Sequence, residues 1–196
     1  MARAREFDEQ ALLDAAVELF WVNGYRASSL IDLSEVTRVS NGSLYQAYGT
    51  KWSLFLAAFR RYCDGRASLV ESLMAGAHTD AEQTVADYFD AIIDDCASRA
   101  DRRGCLLLNT ISELGDDPEV AAISTAAIAR MEHALAGALA ETVGDIDEAD
   151  LPTVSAEVVA LSQALIQLSR VGRDAAELRR IGRRAASQIG RSLQPA

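Results

Sequence analysis

The chain has few of the residues on which enzymes and metal sites depend. Its 196 residues include two histidines and three cysteines, and Cys63, Cys96 and Cys105 stand at unrelated spacings. This supply fits neither a disulfide framework nor a zinc cluster. Since glycine-rich phosphate loops and nucleophile motifs are missing as well, the sequence predicts a protein that is not an enzyme and that uses no cofactor or metal.

Long apolar runs are also missing. The longest uncharged stretches, Val120–Ala129 and Val158–Ser169, contain polar residues and fall short of the roughly 20 residues that a bilayer span needs. The N-terminal sequence MARAREFDEQ lacks the apolar segment of a signal peptide. These absences predict a cytoplasmic protein that has no membrane partner.

Proline is scarce, with three residues in the chain, and β-branched residues rarely cluster. Alanine and leucine dominate instead, and no segment alternates apolar and polar residues for long. This composition favours helices almost everywhere. We therefore predict an all-α fold.

The formal net charge of −10 is distributed unevenly. Residues 1–66 hold eight basic and eight acidic residues, so the whole excess lies in residues 67–196. A two-domain protein whose first domain binds nucleic acid can show such asymmetry. Arg60, Arg61 and Arg66 fit this interpretation and fit a solvated helix face equally well.

Local signals place three helices in the first fifty residues. Asp8 is a predicted N-cap and Gly24 a predicted left-handed stop. The next helix is predicted to start at Ser28-Ser29, with Asp32 in its first turn, and this short helix ends near Thr37. A second short helix, Asn41–Tyr48, follows with Ser40 as its N-cap, and the pair forms a helix-turn-helix candidate. The residues of the first short helix that we expect to face inward are Leu30, Leu33 and Val36.

The residues around the second short helix suit a DNA duplex. Asn41, Gly42 and Ser43 are small, so the backbone of this helix can approach base edges. Thr50 is placed to cap the next helix, and Lys51 stands at its first position. A cation there opposes the helix dipole, but it suits a bound phosphate.

The combined pattern resembles the DNA-binding domain of the TetR/AcrR family of bacterial repressors over about residues 5–55. It reads Phe7…Leu12-x-x-Ala15-Ala16-x-x-Leu19-Phe20-x-x-x-Gly24-Tyr25-x-x-Ser28-Ser29, then Asp32-Leu33 and Val39-Ser40-x-Gly42-Ser43-Leu44-Tyr45-x-x-Tyr48-x-x-Lys51-x-x-Leu54. The family usually has Ala-Gly where this chain has Thr37-Arg38. Either Arg38 adopts φ > 0 at a cost of about 1 kcal/mol, or the turn has another shape.

The resemblance implies a helix-turn-helix domain over residues 1–50 and a helical regulatory and dimerisation domain over residues 51–196. It further implies a homodimeric repressor that binds a palindromic double-stranded operator and is released by a small-molecule effector. Arg3 and Arg5 would belong to an N-terminal arm. The implied DNA-binding residues are Ser28, Ser29, Arg38, Ser40, Asn41, Gly42, Ser43, Tyr45, Gln46, Tyr48 and Lys51.

The C-terminal two-thirds of the chain is predicted to hold one long helix, Lys51–Met74, and five more. Gly104–Asn109 is similar to a segment of one TetR subgroup at the start of its sixth helix. The further helices are predicted at Asp80–Ser98, Cys105–Leu114, Pro118–Val143, Pro152–Gly172 and Asp174–Leu193, and the last two resemble the dimerisation pair of that subgroup.

Apolar stripes on the last two helices predict a seam between two copies, which would place the recognition helices about 34–36 Å apart. Polar residues within apolar helices predict an effector cavity, although neighbouring helices or the dimer seam could equally satisfy them. The candidate effector residues are Phe59, Tyr62, Tyr88, Phe89, Ile92, Asn109, Gln163 and Gln167. An alternative hypothesis is a thiol or metal sensor that uses Cys96 and Cys105, although buried structural cysteines are commoner.

Overall fold

A computed structural model describes residues 7–142 and 150–193 of the chain. Every regular element in those ranges is a helix, which confirms the all-α prediction. The predicted arm residues Arg3 and Arg5 and the acidic segment 144–149 lie outside the described residues. The helices are α1 (Glu9–Ala27), α2 (Leu30–Thr37), α3 (Asn41–Tyr48), α4 (Lys51–Met74), α5 (Ala81–Ala97), α6 (Leu106–Leu114), α7 (Pro118–Thr142), α8 (Leu151–Arg170) and α9 (Ala175–Ser192).

Helix α1 begins as predicted and is interrupted near its end. The Asp8 carboxylate accepts hydrogen bonds from the N–H groups of Gln10 and Ala11, 2.9 and 3.2 Å away, as an N-cap does. Gly24 has φ 77° and ψ 171°, a conformation that is largely restricted to glycine. The predicted left-handed stop is thus wrong in detail, because ψ is extended, and a further turn continues to Ala27.

The starts of the next helices follow the predicted caps. Ser29 caps α2 and Ser40 caps α3, while Thr50 Oγ1 accepts from the Ser53 N–H at 3.0 Å in the first turn of α4. Leu33 is fully buried, but Val36 is 44% exposed. The prediction that Val36 faces inward is therefore wrong, because the last turn of α2 lies at the surface beside the exposed turn to α3.

The helices group by packing into two compact units. Among the described residues, unit 1 contains 7–65 and 105–124, and unit 2 contains 66–104, 125–142 and 150–193. Unit 1 thus joins the helix-turn-helix segment to α6, and α1 contacts both α2 and α6. The predicted domain boundary after residue 50 marks the end of the sequence motif. The packed unit is larger, because residues 105–124, far along the chain, pack with the N-terminal helices.

An aromatic cluster forms the core of unit 1 and joins α1 to α4. Phe55 is 1% exposed, and its ring centroid lies 5.1 Å from Phe20, 4.9 Å from Tyr25, 5.4 Å from Trp52 and 5.8 Å from Phe59. Aromatic rings at such separations attract one another beyond the effect of burial alone. The cluster therefore fixes the end of α1 on the first turns of α4.

Unit 2 is built around close packing of α5 on α9. A Cβ at Gly182 would lie 3.2 Å from Phe89 Cβ, and one at Gly190 would lie 2.7 Å from Glu82 Cβ, so glycine permits the two helices to approach. Helix α8 also packs on α5. By length and composition α8 could cross a bilayer, but a single such helix is a weak indication because core helices of soluble proteins share these properties.

Candidate nucleic-acid interface

The first turn of α3 presents small polar residues at the surface of unit 1. Ser40 Oγ accepts from the Ser43 N–H at 3.2 Å and lies 3.0 Å from Ser43 Oγ. Asn41 and Gly42 are exposed, and a Cβ at Gly42 would meet only Ser40 Oγ, at 3.9 Å. This turn leaves its backbone and short side chains open to an approaching ligand.

The rest of α3 is held by a single buried residue. Leu44 is 1% exposed, whereas Tyr45 is 67% exposed and Gln46 is exposed as well. Tyr48 is half-buried, and its hydroxyl donates to Glu9 Oε1 at 3.2 Å. Helix α3 therefore turns one face to the core and offers amide and hydroxyl groups on the other.

The turn between α2 and α3 keeps a left-handed residue without glycine. Arg38 has φ 57° and ψ 26°, so the first of the two turn geometries considered above is present, at a cost of roughly 1–2 kcal/mol. Thr37 supports the turn, because its hydroxyl donates to the Leu33 carbonyl at 2.6 Å and accepts from the Val39 N–H at 3.3 Å. The Arg38 side chain is exposed beside α3.

Helix α2 begins with a reciprocal cap. The Ser29 N–H and hydroxyl both donate to Asp32 Oδ2 at 2.8 Å, and Ser29 Oγ accepts from the Asp32 N–H at 3.2 Å. These bonds from Ser29 lower the pKa of the Asp32 carboxyl. Ser29 is exposed, so its position is open to a phosphate even though its hydroxyl already has a partner.

Two of the residues predicted to contact phosphates, Ser28 and Lys51, donate hydrogen bonds to backbone carbonyls of unit 1 instead. Ser28 is 3% exposed, and its hydroxyl donates to the Gly24 carbonyl at 2.7 Å. The Lys51 ammonium donates to the carbonyls of Tyr25 and Ser28, 2.9 and 2.8 Å away, and lies 4.1 Å from the centre of the Tyr25 ring. Lys51 thus satisfies carbonyls at the end of α1, which leaves at most one of its three N–H groups for a phosphate.

One supporting residue of this region has only a weak signal in the sequence. Glu113 of α6 accepts from the N–H groups of Tyr25 and Arg26, which are 88 and 87 positions away in the chain. A glutamate near a helix C-terminus opposes the helix dipole, and that mismatch is the one hint the sequence offers. The interface predicted from the sequence therefore omits Glu113, although Glu113 binds the backbone just before α2.

The arginines after the motif form ion pairs. Arg61 reaches both carboxylate oxygens of Asp14, at 2.6 and 2.9 Å, and this contact lowers the pKa of Asp14. Arg66 lies 3.0 Å from Asp95, and Arg60 is exposed. For Arg61 and Arg66 these ion pairs favour a structural role over a contact with nucleic acid, although the Arg66 side chain, 16% exposed, does not lie on a solvated face.

The predicted effector residues are divided between the two units. In unit 1, Phe59 is fully buried, while Tyr62 and Asn109 are half-buried. In unit 2, Tyr88, Phe89 and Ile92 are buried, Gln163 is half-buried and Gln167 is exposed. The Tyr88 hydroxyl lies 3.2 Å from Ser162 Oγ. These effector assignments stay predictions, and the buried members belong to the cores of their units.

An open groove of about 500 Å³ lies elsewhere, within unit 2 on α4 and α7. Arg130 spans its rim, with Nε and one terminal nitrogen each 2.8 Å from the Glu71 carboxylate. The residues that line the groove are Glu71, Met74, Ala75, Ala129, Arg130, His133, Ala134, Gly137, Ala138 and Glu141. The lining therefore combines small residues, four of them alanine, with three charged side chains.

The cysteines differ in their surroundings. Burial raises the pKa of the Cys63 thiol far above its usual range. Cys105 is half-buried just before α6, and the Tyr62 hydroxyl donates to its sulfur at 3.3 Å. No cluster of three or more metal-ligating side chains (His, Cys, Asp or Glu) occurs among residues 7–142 and 150–193.

Comparison with known families matches both parts of the chain. A model described as "Bacterial regulatory proteins, tetR family" matches residues 12–58, and one described as "Tetracyclin repressor-like, C-terminal domain" matches residues 81–185. The HTH-type transcriptional repressor ComR of Escherichia coli (strain K12) is 37% identical over 115 residues, which are 59% of this chain and 55% of ComR. The match thus spans about half the length of ComR. A second relative, the HTH-type transcriptional regulator YezE of Bacillus subtilis (strain 168), is 29% identical over 92% of this chain and 94% of that protein.

Solved structures agree with these sequence matches. The TetR family transcriptional regulator CifR, in a cysteine mutant complexed with 26-bp double-strand operator DNA, is 25% identical with a TM-score of 0.73, covering 94% of this chain and 98% of that one. SCO4454 from Streptomyces coelicolor has a TM-score of 0.79 at 21% identity over 95% of both chains, which supports the fold. These relatives are transcriptional regulators rather than enzymes.

Proposed function

Because the chain belongs to the TetR family of bacterial regulatory proteins, we propose that it is a ligand-responsive transcriptional repressor. It binds a palindromic operator as a homodimer and is released by a small molecule bound in its C-terminal part. The observation that carries the proposal is the exposed first turn of α3, where Asn41 and Gly42 stand open beside Ser43. Helices of this kind read base edges in the major groove.

The proposed contacts divide into two kinds. Asn41, Ser43 and Gln46 carry groups that hydrogen-bond base edges, while Gly42 allows the backbone to approach. The remaining positions suit phosphates, since phosphate contacts fix the orientation of a protein on the duplex without reading sequence. These proposed positioning residues are Ser29, Arg38, Ser40, Tyr45, Tyr48 and Lys51. Ser28 is left out because it is buried.

A titration of the protein with operator DNA tests this proposal. We expect saturable, salt-sensitive binding to a fluorescent duplex from the promoter adjoining the gene, and much tighter binding to two half-sites than to one. Joint replacement of Asn41 and Ser43 by alanine should reduce discrimination against mutated base pairs, by about 1–3 kcal/mol for each affected pair. Fluorescence anisotropy on single-base operator variants measures both effects.

Arg38→Gln is the matched phosphate control in that titration. It should weaken binding to all sequences alike and should flatten the salt slope by about one unit. If the wild type shows no saturable binding, the repressor proposal is wrong. If Arg38→Gln changes base preference while the double variant does not, the two sets of roles are exchanged.

The homodimer is supported by the surfaces of α8 and α9. Ala160, Ala164 and Val171 are exposed near or on α8, Val171 by 78%, and Ile181 of α9 is 39% exposed. Covering apolar surface on a second copy is favourable. The apolar surface available for this dimer seam is narrower than the apolar stripe predicted from the sequence. Four residues of the stripe are already buried within one chain, namely Val158, Leu165, Leu178 and Ile189.

For the small molecule we propose the α4–α7 groove of unit 2, since its volume of about 500 Å³ lies in the range of ligand pockets. Ala134→Trp places an indole ring in part of the groove, so compounds that release the operator from the wild type should need about tenfold higher concentrations with this variant. Gln163→Ala, outside the groove, should behave as the wild type. Equal effects on both variants would place the effector elsewhere.

The contact between Tyr62 and Cys105 favours a thiol sensor as the second candidate function. The Cys105 sulfur accepts a hydrogen bond from the Tyr62 hydroxyl at 3.3 Å and lies at the N-cap of α6, a half-buried position from which oxidation would disturb the start of that helix. In the same release experiment, peroxide should then free the operator from the wild type but not from Cys105→Ser. Release of both proteins, or of neither, would argue against this sensor.

A further inference from the structure

The side chain of Glu113 fastens the end of α6 to the segment that joins α1 to α2. Its carboxylate oxygens accept from the Tyr25 N–H at 3.1 Å and the Arg26 N–H at 2.9 Å. The Arg26 guanidinium in turn donates to the Glu113 carbonyl at 3.3 Å. The two segments are therefore joined in both directions, within unit 1.

The segment 24–29, which we call the connector, needs such an acceptor. At Gly24 the non-helical backbone, with φ 77° and ψ 171°, interrupts the ladder of helical hydrogen bonds. The N–H groups that follow are then exposed as at a helix start, where a carboxylate is a favourable partner. Here a helix distant in sequence supplies that carboxylate, and a Cβ at Gly24 would lie 2.8 Å from Glu113 Oε2.

The connector also receives the contacts that lead to the DNA-reading helices. Lys51 of α4 donates to the carbonyls of Tyr25 and Ser28, and the Ser28 hydroxyl donates to Gly24. Ser29 then caps α2, and α2 packs on α3. The connector conformation thus determines where α2 begins and, through α2, how α3 is presented.

We propose that Glu113 is a positioning residue for DNA binding. Its carboxylate keeps the connector in the conformation that orients α2 and α3 on the duplex, without touching DNA itself. This inference rests on the proposed function of α3. It adds that α6, a helix outside the helix-turn-helix motif, contributes to operator affinity through this one side chain.

The first arm of the test measures operator affinity with the full-length chain. Glu113→Ala should weaken binding by about tenfold or more, because two hydrogen bonds to a charged acceptor are lost, and Glu113→Gln should fall between it and the wild type. Asp116→Asn is the matched control, since it removes the same charge three residues along at an exposed position. Removing an acidic charge should by itself leave DNA binding equal or tighter, so weaker binding of only the Glu113 variants supports the proposal.

The second arm does not depend on DNA. Amide hydrogen exchange should speed up about tenfold or more at Tyr25 and Arg26 in Glu113→Ala, with the interior of α1 unchanged and no change in Asp116→Asn. If exchange at these amides and operator affinity both match the wild type, the proposal is wrong. It is also wrong if exchange rises throughout unit 1, because Glu113 would then support the whole fold. If the wild type itself binds no operator, the repressor proposal fails, while the exchange arm still decides whether Glu113 holds the connector.

Discussion

Replacing Gly24 by alanine is expected to lower the free energy of unfolding by about 3 kcal/mol or more and to weaken operator binding together with it. Two costs add. The backbone at φ 77°, ψ 171° strains any residue with a Cβ by about 1–3 kcal/mol. The new Cβ would also lie 2.8 Å from Glu113 Oε2, so this oxygen must move away from the Tyr25 N–H that it accepts, at about 1.5–3 kcal/mol for a hydrogen bond to a charged group.

Two glycines of the same unit separate these costs. Gly49 also has positive φ, with φ 73° and ψ −44°, but a Cβ there meets nothing within 4 Å, so Gly49→Ala should show backbone strain alone, about 1–3 kcal/mol. Gly65 lies within α4, also in open space, and Gly65→Ala should stabilise the helix by up to about 1 kcal/mol. Urea unfolding followed by circular dichroism, at one fixed protein concentration, measures all three. A Gly24→Ala variant no less stable than Gly49→Ala would show that the Glu113 contact contributes nothing.

The helix starts of unit 1 can be predicted from the sequence because their causes are local. Asp8, Ser29 and Ser40 each bond N–H groups two or three positions ahead, so the pattern of residue types contains the interaction. The same holds for the helix bounds in the C-terminal part, where the predicted helices agree with α5–α9 to within two residues. For α3, local rules indicate a helix-turn-helix candidate with small polar residues, and the resemblance to a family makes the expected DNA contact specific.

The supporting contacts of the interface could not be predicted in the same way. Lys51 is attractive as a phosphate ligand when only its own helix is considered, but the carbonyls it satisfies belong to residues 23 and 26 positions earlier. Glu113 is farther still from its partners in the chain. Such pairings depend on how α1, α4 and α6 pack, and packing is not encoded in the spacing of residues along one helix.

The effector residues could not be predicted reliably from the sequence either. Buried aromatic residues such as Tyr88 and Phe89 have the composition of a pocket wall, yet they are equally suited to a core. Tyr88 finds its polar partner in Ser162, and Phe89 lies against Gly182. The groove on α4 and α7 is instead lined largely by alanine and charged residues, a composition that resembles an ordinary helix surface in sequence.

Phe55→Ala should also lower stability strongly, with a loss of about 3–5 kcal/mol in the free energy of unfolding. Phe55 is 1% exposed and is the residue of the aromatic cluster whose ring neighbours are most numerous, namely Phe20, Tyr25, Trp52 and Phe59. Removing its ring leaves a cavity where α1 meets α4. Since the free energy of unfolding of small domains is roughly 5–15 kcal/mol, this single change removes a large part of it.

Leu69→Ala on the same helix is the matched control, because Leu69 is 60% exposed and its loss should change stability by no more than about 0.5 kcal/mol. Phe55→Leu should lose less than Phe55→Ala, since it keeps much of the buried volume. Thermal and urea unfolding give the order of the three variants. Because Tyr25 packs on Phe55 and lies in the connector, Phe55→Ala should also weaken operator binding before the fold is lost, whereas Leu69→Ala should bind as the wild type does. Equal stability of the Phe55 and Leu69 variants would mean that the aromatic cluster does not hold α1 on α4.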